Sequence, residues 1–192
     1  FKGTFNCDNI DFSLKKSFGE SIEDSLLSGD CDISFQTHRP TTTGLEYVQI
    51  PDSELVLLVP NNHPLANKES IDLREVDWTQ NVVARYAKVP DPRAYSIAAL
   101  YKQVGYDISK ASSRARTTMG VASLIEAGFG IGIVPNLAHL SRFDVKVIPI
   151  TYPSPIQVQY MVRKSNTPPL SAADRFFTYT AERYGKTAYT HI

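Results

Sequence analysis

Strand-like and helix-like segments alternate along almost the whole of this chain. The five consecutive apolar residues at 55–59 are typical of a buried strand. The apolar residues between 97 and 104 have the spacing of one helix face, and Gly105 ends that segment. Strands that alternate with helices pack best as a sheet covered by helices. The chain is therefore predicted to have an α/β fold.

The individual elements are predicted from apolar periodicity and from capping residues. Helices are expected to begin at residues 17–20, 91–92, 117–118 and 171, and a short helix is expected at 71–76. Strands are expected at 10–14, 31–35, 55–59, 79–86, 131–134, 145–148 and 158–162. In the strand at 31–35, Cys31, Ile33 and Phe35 are expected to point inward.

Two lobes are predicted from a break in this pattern. Residues 60–64 contain two prolines and two asparagines, and we expect the chain to cross between lobes near residues 60–66. A return crossing is expected near residues 153–158. The predicted first lobe contains residues 1–60 and 156–192, and the predicted second lobe contains residues 61–155.

Charge and cysteine content exclude several classes of protein. The 192 residues include 20 Lys and Arg and 20 Asp and Glu, so the chain lacks the overall basicity typical of nucleic-acid binding. No apolar run approaches the roughly 20 residues that span a bilayer. Cys7 and Cys31 are too few for a disulfide framework, and Cys31 is interpreted as an unreactive thiol. The sequence starts at Phe1, with no initiator Met and no secretory signal pattern, so we expect a fragment of a longer protein.

Motifs of catalysis and metal binding are not found in the sequence. The four histidines, at positions 38, 63, 139 and 191, are isolated from one another and from both cysteines, so zinc-ligand spacing is missing. There is no Gly-x-Ser-x-Gly motif and no P-loop. No catalytic residue, metal site or cofactor is therefore predicted.

The glycines at 128, 130 and 132 suggest a dinucleotide-binding loop only at first sight. A phosphate-binding loop follows a strand and opens a helix, whereas these glycines follow a predicted helix and enter a predicted strand. We interpret them as a helix end followed by close helix–strand packing.

Four segments of the chain carry a family resemblance. They are Leu26–Ile33 (LLSGDCDI), Leu57–Ala66 (LLVPNNHPLA), Ser70–Leu73 (SIDL) and Leu124–Pro135 (LIEAGFGIGIVP). In order and spacing they resemble the effector-binding domain of LysR-type transcriptional regulators. The resemblance covers roughly residues 10–180.

The resemblance implies a fold and a function. The fold would be two Rossmann-like lobes joined by two crossover strands, as in type 2 periplasmic binding proteins. A small anionic metabolite would bind in the cleft between the lobes and bias their orientation, with no bond made or broken. Such a domain is a sensor and not an enzyme.

Partners and location are also implied by the resemblance. This domain would form a homodimer, and the full-length protein a tetramer. DNA would be bound only through an N-terminal winged helix-turn-helix domain that is absent from this chain. The implied location is the cytoplasm, without membrane contact.

The candidate ligand-binding residues come from loops that face the cleft in this family. In this fold those loops end at helix N-termini, which favour anions. The candidates are Ser17, Phe18, Gly19, Thr37, Arg85, Tyr86, Arg116, Thr117 and Thr118. Simple helix capping by the hydroxyls and solvent exposure of the arginines are the alternatives.

One departure from the family pattern concerns the start of the chain. Family members usually carry a further strand and helix before the strand predicted at 10–14, whereas nine residues precede Ile10 here. The loop of that unit commonly contributes effector contacts, so the candidate set is expected to be incomplete. Gly19 also stands where many members have Ser or Thr, which leaves only its backbone for a contact.

Two other functions fit the same architecture. A solute-binding protein of a transporter would share the two-lobe fold but would be exported as a monomer. A lyase or deaminase would need a converging acid–base constellation, which these residues do not supply.

Overall fold

A computed structural model describes residues 10–14, 22–79, 82–85, 97–153, 155–185 and 190–191 of the chain. The helices are α1 (Ile22–Ser28), α2 (Ile97–Gln103), α3 (Thr118–Glu126) and α4 (Ala172–Tyr184). The strands are β1 (Ile33–Gln36), β2 (Leu45–Pro60), β3 (Ile71–Asp72), β4 (Val83–Arg85), β5 (Ser113–Ala115), β6 (Gly132–Pro135), β7 (Val145–Tyr152), β8 (Ile156–Lys164) and β9 (Thr190–His191). No helix in these ranges is both long and apolar enough to cross a membrane.

The described residues divide into two units. The first unit takes its residues from Phe1–Pro51 and Val158–Ile192, and the second from Asp52–Gln157. The chain passes from the first unit to the second within β2 and returns within β8.

In the first unit, helices cover both faces of an antiparallel arrangement. Strand β8 lies between β1 and β2. Leu26 of α1 packs with Tyr47 and Val162 on one face. Phe177 of α4 packs with Val48 and other residues on the opposite face. Neighbouring residues of a strand point to opposite faces, which is why consecutive residues are buried at 45–48 of β2 and at 161–163 of β8.

In the second unit, β2 pairs antiparallel with both β6 and β7, while β4 and β5 form a separate parallel pair. Leu55 and Leu57 pack on the side of α2, and Val56 and Leu58 pack on the side of α3. The apolar run at 55–59 is therefore buried on both faces, as its unbroken hydrophobicity predicts.

A buried ionic network fixes α4 to the sheet of the first unit. The guanidinium of Arg163 binds Glu46 through Nε and donates from Nη1 to Asp174 Oδ1 over 2.7 Å. Its Cζ atom also lies 4.2 Å from the centroid of the Phe177 ring. The hydrogen bond from Arg163 lowers the pKa of Asp174. Since Asp174 belongs to the first turn of α4, the network sets where that helix begins.

The predicted start of α4 is confirmed. Ser171 Oγ accepts a hydrogen bond from the amide of Asp174 over 3.2 Å, as an N-cap residue does. The carboxylate of Asp174 accepts from the amide of Leu170 over 2.8 Å, so the reciprocal bond of a capping box is made one residue earlier than expected.

The expected inward face of β1 is wrong. Ser34 and Gln36 are buried, whereas Phe35 is half exposed. Ser34 and Gln36 stand opposite Val162 and Tyr160, on the face that α1 covers. Gln36 is accommodated on this face through its Nε2, which donates to the carbonyl of His38 over 3.1 Å. Both faces of β1 are partly covered, so alternation alone could not choose between them.

Two other elements differ from expectation. Residues 10–14 form no strand in the structure. At 71–76 a helix was expected, but Ile71 pairs with β7 and only Leu73–Glu75 turns, as a short 3₁₀ helix. That turn is capped by Asp72, which accepts from the amide of Arg74 over 2.9 Å. Because Ile71 and Asp72 are extended and pair with β7, they cannot form the first turn of a helix.

Replacing Glu46 by Gln should strongly destabilise the chain. The substitution removes the more deeply buried of the two carboxylates that the Arg163 guanidinium binds and leaves it only Asp174, and breaking a buried ion pair in this way costs about 3–5 kcal/mol in comparable sites. Glu75→Gln is the matched control, since Glu75 pairs with Lys68 at the surface and such pairs contribute up to about 1 kcal/mol. Urea unfolding measures both losses, and equal losses would show that the network is not what anchors α4.

Candidate functional site

The N-terminus of α3 is the best-defined candidate site in the second unit. Thr117 is the N-cap, and its Oγ1 accepts a hydrogen bond from the amide of Gly120 over 2.9 Å. The sequence allowed either Thr117 or Thr118 to cap, and the structure assigns the cap to Thr117. Thr118 is then the first helical residue, and its hydroxyl takes no part in the cap. Thr117 therefore has a structural role as the cap, which the Thr118 hydroxyl does not share.

Close packing fixes this end of α3 against the parallel strands. A Cβ on Gly120 would lie 2.9 Å from Cβ of Ala115 in β5. A Cβ on Gly132 would lie 2.3 Å from the carbonyl oxygen of Val83 in β4. Both separations are shorter than side chains tolerate, so these two glycines permit the observed approach.

The C-terminus of α3 confirms the interpretation of the glycine-rich segment. Gly128 has a φ of 81°, and its amide donates to the carbonyl of Ile125 over 2.9 Å. The amide of Phe129 donates to the carbonyl of Leu124 over 3.0 Å. This is a Schellman motif, which ends a helix. The segment thus closes α3 and leads into β6, and it does not open a helix on a phosphate.

Arg85 and Arg116 belong to the same edge of the second unit. Strands β4 and β5 are parallel, with Arg85 in register with Ala115, so both strands end beside the turn that leads to Thr117. Arg85 is placed at this edge by the pairing of its backbone with β5. Arg116 is exposed and directly precedes the cap.

Arg114 and Arg116 are two residues apart in the chain, and both are exposed. The guanidinium of Arg114 donates to the carbonyls of Ile108 and Ser109 over 2.9 and 2.8 Å. Arg114 therefore has a structural role at the end of a 3₁₀ turn. Arg116 is the better-placed candidate for an anion, because it directly precedes the Thr117 cap of α3.

In the first unit, Thr37 directly follows β1 and is half-buried. It begins the loop at residues 37–44, which we call the β1–β2 loop. Ser17, Phe18, Gly19 and Tyr86 lie outside the described residues. The structure thus brings together Arg116, Thr117, Thr118 and the backbone of Arg85, and it places Thr37 in the other unit.

A buried carboxylate that sequence reasoning missed lies beside the β1–β2 loop. Glu23 of α1 is 4% exposed. Its Oε2 accepts from the amides of Thr41 and Thr42 over 3.3 and 2.9 Å and from the Thr42 hydroxyl. Its Oε1 lies 3.5 Å from Nε2 of His38. Glu23 precedes Leu26 by three residues, so a charged residue on the buried face of α1 was the signal in the sequence.

The ionisation of Glu23 is set by two opposing effects. Burial disfavours the charged form, but the hydrogen bonds from Thr42 and Thr41 and the nearby imidazole of His38 outweigh it, so the pKa of Glu23 is lowered. The carboxylate therefore remains an acceptor for the loop throughout the neutral range.

Within the described ranges, no group of three or more His, Cys, Asp or Glu side chains could hold a metal ion. The chemistry that the candidate residues offer is hydrogen bonding and charge recognition.

Sequence comparison identifies similar proteins. A family model described as the LysR substrate binding domain matches residues 6–185. The uncharacterized HTH-type transcriptional regulator YybE of Bacillus subtilis is 26% identical over 148 residues, which are 76% of this chain and 48% of YybE. The chain spans about half the length of the curated relatives it matches.

Solved structures with similar folds include two ligand complexes. The effector binding domain of QuiR in complex with shikimate has a TM-score of 0.77 and 24% identity, over 96% of this chain and 86% of that chain. The BenM effector binding domain with its effector benzoate has a TM-score of 0.70 and 18% identity, over 93% and 80%. These similarities confirm the predicted fold class, that of type 2 periplasmic binding proteins.

Replacing Gly132 by Ala should destabilise the second unit by about 3 kcal/mol, because the new methyl group meets a backbone carbonyl that cannot rotate away. Gly105→Ala is the control. Gly105 has open space around it, and only its left-handed backbone conformation is penalised, by about 1 kcal/mol. Thermal or urea unfolding measures both. A loss from Gly132→Ala no larger than the control's would contradict the close approach of β4 and β6.

Glu23 should titrate below pH 4.5, its ordinary pKa, in the folded chain. Because its folded-state pKa is lowered, its stabilising contribution is complete above 4.5 and is lost as the pH falls through the folded-state value. The amide proton shift of Thr42, followed by NMR from neutral to acidic pH, reports this ionisation. A midpoint above 4.5 would show that burial, and not the hydrogen bonds, dominates.

Proposed function

This chain belongs to the LysR substrate binding domain family, and we propose that it is the effector-sensing domain of a DNA-binding transcription regulator. The family model covers nearly the whole chain, which confirms the resemblance predicted from four segments. The chain's own fold and its matched relatives, which are transcriptional regulators, support a sensor that binds a small molecule.

The proposed ligand is a small organic anion that binds at the N-terminus of α3. The first amides of a helix have no acceptor within that helix, and the helix dipole favours negative charge there. Arg116 adds a positive side chain next to these amides, and Thr118 adds a hydroxyl that the cap does not use. Shikimate and benzoate, the molecules bound by the two similar domains, are both carboxylates, which supports this ligand class.

The proposed contacts include the other candidate residues of the chain. Arg85 and Thr117 are included for their place at the carboxyl edge of β4 and β5. Tyr86 is included because it follows Arg85 directly in the sequence. Ser17, Phe18 and Gly19 are included because the family resemblance assigns their loop to effector binding. Thr37 is included because it directly follows β1.

The whole protein's partners belong to the same proposal. A DNA-binding segment outside this chain, a homodimer through this domain, a tetramer of the intact protein and a cytoplasmic location are what the family membership implies. We propose no catalytic activity, because the matched relatives are regulators. The solute-binding alternative is not favoured, since the family model and the curated relatives are those of regulators.

Isothermal titration with shikimate and benzoate tests the ligand class and the site. Thr118→Ala and Arg116→Ala are each expected to weaken binding at least about tenfold, the effect of one lost charge-assisted hydrogen bond. Thr118 is preferred to Thr117, since replacing Thr117 also removes the helix cap.

Thr151→Ala and Lys146→Ala are matched controls. Both residues are exposed on β7 of the same unit and should leave the affinity unchanged. An affinity that neither site variant alters would place the ligand elsewhere and overturn the proposed site.

A further inference from the structure

We propose that Glu23 is a positioning residue for the proposed effector site, because its carboxylate holds the β1–β2 loop and thereby fixes Thr37. The inference rests on the proposed function, in which Thr37 is a ligand contact.

A single carboxylate holds three residues of the loop. Thr41 and Thr42 donate their amides to Oε2 of Glu23, and the Thr42 hydroxyl donates to the same atom. The imidazole of His38 lies against the other oxygen, at 3.5 Å. Glu23 belongs to α1, so its side chain joins the helix to the β1–β2 loop.

Thr37 lies between two residues that are held on either side. Before it, Gln36 is fixed in β1 by its pairing with Tyr160 of β8. After it, the His38 carbonyl accepts a hydrogen bond from Nε2 of Gln36 over 3.1 Å, and the His38 ring lies 3.5 Å from Oε1 of Glu23 without a hydrogen bond. Releasing His38 and the residues beyond it would free the chain on one side of Thr37.

The network is not the arrangement that stability alone would favour. An apolar residue at position 23 could pack with Leu26 without the desolvation of a buried charge. Among the described residues, the buried oxygens Glu23 Oε1, Ser34 Oγ and Gln36 Oε1 have no hydrogen-bond partner. Buried polar groups that are only partly satisfied weaken a core. A role in holding the loop gives the buried carboxylate a reason to be there.

The substitution Glu23→Gln tests the inference, with Asp24→Asn as its control. Asp24 is the next residue of α1 and is exposed. In Glu23→Gln the neutral amide cannot hold the imidazole and both loop amides as the carboxylate does. We expect the NMR amide signals of Thr37, His38 and Thr42 to shift and their order parameters to fall. Signals of Phe177 and Met161 in the core of the same unit should stay in place.

Thr42→Val provides a second variant that leaves Glu23 intact. It removes only the hydroxyl donor, so we expect a smaller change at the same loop residues. Unchanged Thr37 signals in both variants would overturn the inference. Signal changes spread evenly over the whole first unit would also overturn it, since they would show that Glu23 supports stability only.

Titration with shikimate separates this inference from the proposed function. If shikimate binds and Thr37→Ala weakens it, Glu23→Gln should weaken it about tenfold and Asp24→Asn should not. A loss with Thr37→Ala but none with Glu23→Gln overturns the inference and leaves the proposed function standing. If shikimate does not bind the wild-type chain, that ligand assignment fails by itself, and the NMR signals of Thr37 decide whether Glu23 fixes it.

Discussion

The strand β2 is the constraint on which the rest of the structure depends. Its 16 residues run through the boundary between the two units, and each half pairs with the central strands of its own unit. Val48 packs in the first unit, and Leu57 packs in the second. Because the strand is covered on both faces in each unit, a change of register by one residue would exchange the two sets of core residues. The hydrophobic pattern of β2 therefore fixes the register of both sheets.

The candidate site in the second unit is a consequence of this packing. Strand β6 pairs with β2, and Gly132 at the start of β6 allows β4 to approach it. The parallel pair of β4 and β5 then supports α3, whose first turn lies on Ala115. The amides at the start of α3 are thus held by rigid elements. The side chains of Arg116 and Thr118 extend from this fixed backbone. Preorganised amides bind an anion without an ordering cost at the moment of binding.

Much of the fold can be predicted from the local sequence, because several of its patterns are compatible with only one kind of structure. The apolar run at 55–59 can only be a buried element, and the cap at Thr117 follows from the hydroxyl's own hydrogen bond. Which residues of β1 are buried could not be predicted, since α1 packs on one face of this sheet and α4 packs on the other. Glu23 was missed because its partners lie 15–19 residues away in sequence, and their approach depends on tertiary structure. The candidate residues themselves came from family resemblance, since helix capping explains a hydroxyl as well as ligand binding does.

The most direct test of the central claim is a ¹⁵N–¹H NMR titration of this chain with shikimate and with benzoate. An anion at the N-terminus of α3 changes the electronic surroundings of the amides that donate to it. We predict that the amide signals of residues 117–120 shift most, and that they saturate together with the binding curve. Shifts confined to other parts of the chain, or no shift at these amides with either carboxylate, would contradict the claim that this helix terminus binds the effector.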